Sequence, residues 1–394
     1  MGKIIISEVM DRQLLFLIDE QNHPQFIKVL SDEREDLLTG NIYVGRVSDV
    51  VPGIQGAFVS ISNHQKVFLP FKECYASEIA IPLRQGDELL VQITASAIKT
   101  KLPEASTKLH LAGKYCVCRL HEHVISFSKK ISPSKESELK AAITNADIPG
   151  RKGYGFIIRT NAGLLSGPEP LLDEMRQFID IFEQISQTGK YRTVYSCLYR
   201  AEDECIKAVK NIPTDQYNEV VTDLSFAYEQ LMNCGINVGL RLYQDEALPL
   251  AKLYSLETHL KQALSKRVWL PSGGYLIIEP TEAMTVIDVN SGKGSNQRGM
   301  VQGQLYLKTN REAAFEIARQ LRLRNFSGMI MVDFINMKSS EDEKNLLVYL
   351  RECLEKDPVK TRLVDITALG IVEITRKKEN RPLADSFPVS VMKI

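Results

Sequence analysis

The 394-residue chain has no charge excess of either sign: Lys and Arg total 49, and so do Asp and Glu. No global field draws it to an acidic polymer, so any nucleic-acid binding has to come from local basic patches. Its seven cysteines include no C-x-x-C pair, which argues against a cysteine zinc site within one short segment. Their odd number and wide scatter fit reduced thiols in a cytoplasm, with Cys116 and Cys118 a small apolar pair on one strand face. No apolar run approaches the roughly 18 residues of a membrane span. The opening "MGKIIISEVMDRQLLFLIDE" carries acids where a signal peptide needs an apolar core, and Ile6 stands where a myristoylation signal needs Ser or Thr. A cytoplasmic protein with no membrane partner is expected. "SGKGS" is no phosphate loop either, because Ile287 replaces the required first glycine and Gly294 the hydroxyl residue after Lys293. There is no internal repeat or low-complexity segment.

What is present is an ordinary globular composition, 44% hydrophobic and 25% charged, long enough for several cores. "KIIIS", "LLFLID" and "FIKVL" read as short strands within the first 36 residues. From Gly40, "GNIYVGRVSDVVPGIQGAFVSISNHQKVFLP" and "GDELLVQITA" have the texture of a small antiparallel barrel. Phe58 and Phe68 lie in it, followed by Lys99, Lys101, Lys108 and Lys114 with only Glu104 against them. Aromatics exposed beside such a basic stretch make a surface for single strands, while aromatics turned inward are barrel core. Residues 118 to about 200 mix strand, including "CVCRLHEHVISFS", with a helix from Glu169 to Ser186. His121 and His123 fall on one strand face, with no third ligand nearby to make a metal site. Pro213 to Lys266 reads as mostly helical, with Leu253, Leu256, Leu260 and Leu264 as a packing stripe. The last 130 or so residues alternate strand and helix as an α/β layer with a mixed sheet. Its first helix, Arg311 to Arg324, buries Ala314, Ile317, Ala318 and Leu321. Arg319, Arg322 and Arg324 at its end suit either the helix dipole or a phosphate backbone.

In this layer "TVIDVNSGKG" breaks the rule of an apolar strand. Val286, Asp288 and Asn290 share one face, and a buried carboxylate is expensive unless paired, hydrogen-bonded or bound to a metal. "GMIMVDFINM" repeats the anomaly at Asp333. Two acids at strand ends in one sheet can converge as hard oxygen ligands for Mg²⁺, with Asn290 orienting a carboxylate or a water. Two separately satisfied core acids are the alternative.

The stretches "GNIYVGRV", "GAFV", "VFLP", "GFIIRT", "PSGGYLIIEPTEAMTVIDVNSGK", "TNREAAFEIARQLRLRN", "GMIMVDFINM" and "ALGIVEITRKK" run in order over nearly the whole chain. In them the sequence resembles the ribonuclease E/G family, and the shorter ribonuclease G type more than the long ribonuclease E type. The resemblance implies a multidomain α+β protein. A ribonuclease H-like subdomain (1–36 and 203–263) would carry an inserted OB-fold barrel of the ribosomal S-one type (37–117) and a 5′-sensor region (118–202). A deoxyribonuclease I-like α/β catalytic domain (264–394) would follow. Asp288 and Asp333 match the family's Mg²⁺-binding catalytic acids, and Asn290 the amide that supports them. Phe58 and Phe68 match RNA-contacting aromatics; Lys101 matches a basic RNA contact, although "KTKLPEAS" replaces its glycine-rich surroundings. Arg159 and Thr160 match a pocket for a 5′-monophosphate, with Gly113 and Val117 as further members. Lys129 and Lys360 stand where arginines would be expected, keeping the charge but losing the bidentate fork.

The family's C-P-x-C segment, whose thiolates share a Zn²⁺ between subunits, has no counterpart after Cys353. No structural zinc is therefore expected, and a homodimer would form without that link. The expected function is a Mg²⁺-dependent, single-strand-specific endoribonuclease of RNA processing (ribosomal RNA maturation, messenger RNA decay), favouring 5′-monophosphorylated RNA. The alternative is a non-catalytic RNA-binding module of the same descent; a DNA nuclease is a third option.

Overall fold

The computed structural model describes residues 1–30, 39–75, 83–95, 102–146, 148, 153–189, 191–236, 239–292, 302–337, 339–378 and 381–388. Residues 31–216 make one compact unit, and 1–30 with 217–394 make the other. The architecture is mixed α+β. Three antiparallel strands open the chain: β1 (Gly2–Val9), β2 (Arg12–Ile18) and β3 (Pro24–Val29). Ile4, Ile5 and Ile6 have no exposed surface, so β1 is covered on both faces. Double coverage is why these strands read as unbroken apolar runs rather than alternating ones.

The 31–216 unit begins with β4 (Ile42–Val51), β5 (Gly56–Ser60), β6 (Lys66–Pro70), β7 (Glu88–Ala95) and β8 (Glu104–Ser106). Pairing of β4 with β7 closes these five strands into a barrel, as the glycine-punctuated pattern predicts. Its core takes alternate residues, among them Val47, Ala57, Val59, Val67, Leu69 and Val91. A second sheet combines β9 (His110–Ala112), β10 (Cys116–Leu120), β11 (Ile125–Phe127) and, after α1 (Pro133–Asn145), β12 (Tyr154–Ile158). Packed on it is α2 (Glu169–Gly189), whose apolar stripe includes Leu171, Met175, Phe178 and Phe182. Strand β13 (Cys197–Tyr199) adds to β4, and α3 (Glu204–Asn211) ends the unit.

The "HEH" expectation is corrected here. Strand β10 stops at Leu120, and His121 takes φ of 63° in a turn, so the two histidines share no strand face. Cys116 and Cys118 do form a fully buried pair on β10. Burial raises both thiols, Cys118 to about 12, and none of the seven cysteines is in a disulfide.

In the other unit, β14 (Tyr217–Thr222) runs parallel beside β1, and after α4 (Ser225–Asn233) comes β15 (Leu240–Leu242), parallel to β14. The mostly helical reading of 213–266 missed these strands because β14 is strand only through its pairing with β1, and β15 through its pairing with β14. The remaining helix is broken into α5 (Leu250–Leu253) and α6 (Leu256–Leu264) at Ser255, whose φ is 51°. Leu256 and Leu260 are buried as expected, whereas Leu253 is 42% exposed.

The last layer contains β16 (Arg267–Trp269), β17 (Tyr275–Pro280), β18 (Met284–Asn290), α7 (Gln302–Arg324), β19 (Gly328–Asp333), α8 (Ser340–Glu355), β20 (Thr361–Ile366) and β21 (Val372–Arg376). The sheet order is β16-β17-β18-β19-β21-β20, and only β18 with β19 pairs in parallel. Ala314, Ile317, Ala318 and Leu321 of α7, with Leu346 and Leu350 of α8, cover one face. The arginines of α7 do not present a phosphate-binding edge. Arg319 bonds Glu316 and the Pro24 carbonyl. Arg324 is buried, its guanidinium pushed down to about 10 by desolvation, and Arg322 is half-buried. Among the described residues no helix is long and apolar enough to cross a membrane.

Beneath the sheet Arg376 of β21 meets Asp357 at 2.8 Å, both side chains almost fully buried. The same guanidinium donates to Asn325 Oδ1 and the Phe326 carbonyl, joining the ends of α7 and α8 to the last strand. Removing one member of such a pair strands a buried charge. Asp357→Asn should therefore lower stability by about 3–5 kcal/mol, read as a fall in the urea midpoint. Arg46→Ala, which breaks the exposed pair with Glu88, should leave the midpoint almost unmoved.

Candidate functional site

The parallel register of β18 and β19 sets Asp288 directly beside Asp333. Buried Thr285, Ile287 and Val289 face the helices, and Val286, Asp288 and Asn290 point the other way. Both acids are exposed, not buried as the strand pattern suggested, because helices cover only one face of the sheet. Val286, 40% exposed, and Met329, 50% exposed, lie on the same open face. Asn290 Nδ2 donates to Asp288 Oδ2 at 2.7 Å, which fixes that carboxylate and leaves its other oxygen free of this bond.

Two carboxylates side by side, open to solvent, are a hard-oxygen donor pair. Among the described residues no group of three or more His, Cys, Asp and Glu converges anywhere. Among the described residues the carboxylates here number two, a set that would suit a dication keeping most of its waters rather than an all-protein cage. Glycines lock the strand ends. A Cβ on Gly292 (φ 68°) would lie 2.2 Å from the Gly273 carbonyl oxygen, and one on Gly274 2.7 Å from that of Asn290. Residues 293–301, the rest of the "SGKG" loop, lie outside the described residues.

On the barrel, Phe58 and Phe68 sit opposite each other on β5 and β6, ring centroids 5.8 Å apart. Their neighbours Ala57, Val59, Val67 and Leu69 fill the core, so the two rings are on the outer, partly exposed face. Gly56 gives the Phe68 ring its place: a Cβ there would come within 2.4 Å of it. Lys101 and Lys99 lie outside the described residues. Lys108 is tied to the Lys72 carbonyl at 2.5 Å, and Lys114 stacks on the Tyr115 ring at 5.4 Å, its ammonium lowered by burial.

In the second sheet Arg159, following β12, donates to the Gly113 carbonyl and to Asn211 Oδ1, each at 2.5 Å. Burial lowers its guanidinium, with Glu174 and Cys116 opposing that shift. Thr160 Oγ1 lies 2.9 Å from Ser128 Oγ, and Val117 pairs with Ile157 across β10 and β12. Arg159, Thr160 and Gly113 are thus held in one hydrogen-bonded neighbourhood. Lys129 is exposed just beyond Ser128. Lys360 belongs to the other unit, exposed just before β20.

Residues 110–379 match the model of the Ribonuclease E/G family. The chain is 33% identical over 363 residues to Ribonuclease G of Escherichia coli (strain K12), a match covering 86% of this chain and 73% of that protein. The chain belongs to the ribonuclease E/G family. It is also 32% identical to Ribonuclease E of Synechocystis sp. over 365 residues, 88% of this chain and 53% of that protein. The chain thus spans about half the length of the ribonuclease E relatives from Synechocystis and Nostoc.

The main organiser of the neighbourhood around Arg159 is a residue whose role the sequence motifs did not reveal. The Glu174 carboxylate accepts the backbone N–H groups of Lys114, Tyr115 and Cys116 at 2.7–2.8 Å. A Cβ at Gly113 would strike that carboxylate at 2.4 Å, so Gly113 is required for the close approach. The signal was an acid on the apolar stripe of α2, three residues after Leu171 and four before Phe178. Asn211 and Ser128 carried no such signal. Glu174→Gln should weaken this cradle, costing about 1–3 kcal/mol. Faster hydrogen exchange at the amides of residues 114–116, without change at the barrel amides, is the expected result.

Proposed function

We propose that this chain is a Mg²⁺-dependent, single-strand-specific endoribonuclease that hydrolyses internal phosphodiesters to 5′-phosphate and 3′-hydroxyl ends. The observation that carries the reading is the in-register Asp288–Asp333 pair, with Asn290 bonded to Asp288. The names of the relatives, Ribonuclease E and Ribonuclease G, support RNA as substrate. Asp288 and Asp333 would hold the cation, which supplies Lewis acidity to the scissile phosphate and to the attacking water. Asn290 keeps Asp288 in one rotamer and adds no third negative charge. Phe58 and Phe68 offer a tilted pair of rings on which single-stranded bases stack, and Lys101 adds a backbone contact.

On the same reading 1–36 with 203–263 is a ribonuclease H-like subdomain, 37–117 the RNA-binding barrel, 118–202 the 5′-sensor and 264–394 a deoxyribonuclease I-like catalytic domain. Arg159, Thr160, Gly113, Val117, Lys129 and Lys360 serve 5′-monophosphate recognition. Arg159 spends two of its five donors on protein acceptors, and Thr160 already has a hydroxyl partner. A phosphate there would meet a preset guanidinium, with Lys129 adding charge without a fork. The cellular role would be RNA processing in the cytoplasm, including ribosomal RNA maturation and messenger RNA decay, and the reading allows a homodimer.

The test is cleavage of one A/U-rich RNA carrying either 5′-phosphate or 5′-hydroxyl, with light scattering on the same preparation for oligomeric state. Cleavage should require Mg²⁺, stop with EDTA, and fall at least about 100-fold in Asp288→Asn and Asp333→Asn, since each removes a cation ligand worth several kcal/mol. Variants that cut as fast as wild type would remove the assignment, and RNA binding without any Mg²⁺-dependent cleavage would leave a non-catalytic binding module. A second expectation concerns the 5′ end. The 5′-phosphorylated RNA should be cut faster than its 5′-hydroxyl twin, and Arg159→Ala should erase the difference; equal rates on both in wild type would dismiss the sensor.

A further inference from the structure

The chain has a single tryptophan, and it is not in a core. Trp269 is 64% exposed on β16, an edge strand of the sheet that carries the two acids. Its indole stands edge-on to Tyr275, centroids 5.4 Å apart. The Arg267 guanidinium lies 4.7 Å from the centre of the Tyr275 ring and 5.6 Å from that of Trp269. Among the described residues no acid pairs with that guanidinium.

The strand registers place this group relative to the acids. Arg267 is opposite Ile277, Ile277 opposite Asp288, and Asp288 opposite Asp333, so all four lie in one row across the sheet. The next row runs Trp269, Tyr275, Asn290. With strands about 4.8 Å apart and alternate residues about 6.6 Å apart, Trp269 is ~12 Å from Asp288 and Tyr275 adjoins Asn290 directly.

The shelf is also built to stay put. The turn joining β16 to β17 closes through Leu270 N–H to the Gly274 carbonyl at 2.8 Å. Glu312 of α7 accepts the Ser272 N–H at 2.8 Å, anchoring the turn to the helix beneath. Gly273 at φ 86° makes the turn possible. An exposed indole contributes little to folding, but two rings and an unpaired cation together match a base and a phosphate, the two parts of a nucleotide.

We propose that Trp269, Tyr275 and Arg267 form a stacking subsite that holds an unpaired nucleobase of single-stranded RNA beside the Asp288–Asp333 pair; this rests on the reading of that pair as a nuclease site. Trp269 and Tyr275 supply ring faces and Arg267 offers charge to the adjoining phosphate. They are positioning residues. They fix where the strand lies over the acids, and so which bond is cut.

Because Trp269 is the only tryptophan, its fluorescence reports the subsite alone. The full chain carrying Asp288→Asn and Asp333→Asn, without divalent metal, is titrated with single-stranded RNA and with an abasic oligomer of equal length and charge. The RNA should quench Trp269 saturably and the abasic strand should not, while Tyr275→Ala should weaken the quenching curve roughly tenfold. In the otherwise wild-type chain with Mg²⁺, Trp269→Ala should raise KM about tenfold with a smaller change in kcat and a redistribution of cut sites; Trp269→Phe should restore both. Equal quenching by the abasic strand, or no quenching when anisotropy shows the labelled RNA bound, would overturn the subsite. So would an emission shift with protein concentration alone, which would assign the indole to contact with a second copy. Quenching by RNA in a wild-type chain that never cuts would instead retire the nuclease reading and leave the subsite standing.

Discussion

Everything at the candidate site depends on one parallel strand pair. Side chains directly opposite each other on neighbouring strands are about 5 Å apart at their bases, and like charges so placed repel. Strands β18 and β19 hold Asp288 and Asp333 in this arrangement across five consecutive register pairs. Parallel neighbours need a long crossover, and α7 lies in the connection between these two. The small residues Ala313, Ala314 and Ala318 let that helix lie against the sheet. The buried Arg376–Asp357 pair then pins the far end of the helix to the last strand. Folding free energy from the covered face thus holds together two acids that would separate if free.

The alternation of β18 was legible in the sequence, since Val286, Asp288 and Asn290 do share a face. What that face met was not. An apolar residue beside the acids implied burial, but helices pack on one side only, and Val286 is exposed. Strand patterns specify parity, and whether both parities are covered depends on how many helices the chain brings to the sheet. The same limit explains β14, whose buried residues looked helical until β1 supplied a neighbour. It explains the α7 arginines too, since Arg319 finds its acceptor at Pro24, 295 residues away in sequence.

Local chemistry was easier to read than long-range pairing. Phe58 and Phe68 could be assigned to the outer barrel face only once the parity of β5 and β6 was known. Arg159 was recognisable from its motif, but its acceptors, Gly113 and Asn211, are 46 and 52 residues away. Glu174 was missed although it carried a signal, an acid on an apolar helical stripe, which marks a carboxylate with a buried task. Here that task is to gather three backbone N–H groups.

The amide at position 290 bears on the charge balance of the open face. A third carboxylate there would give a dication another ligand, but with Arg267 counted it would leave the face neutral, not positive, once a dication was bound. With Asn290, the row from Arg267 to Asp333 carries one net negative charge, and one dication reverses its sign. On the proposed reading, a phosphodiester approaching such a row would meet attraction only after the cation had arrived. Asn290 also satisfies one Asp288 oxygen, so the carboxylate is oriented while it keeps the charge that would recruit a cation. On the proposed reading the site would be weak for substrate when empty and strong when loaded, an order of binding set by an amide rather than an acid at one strand position.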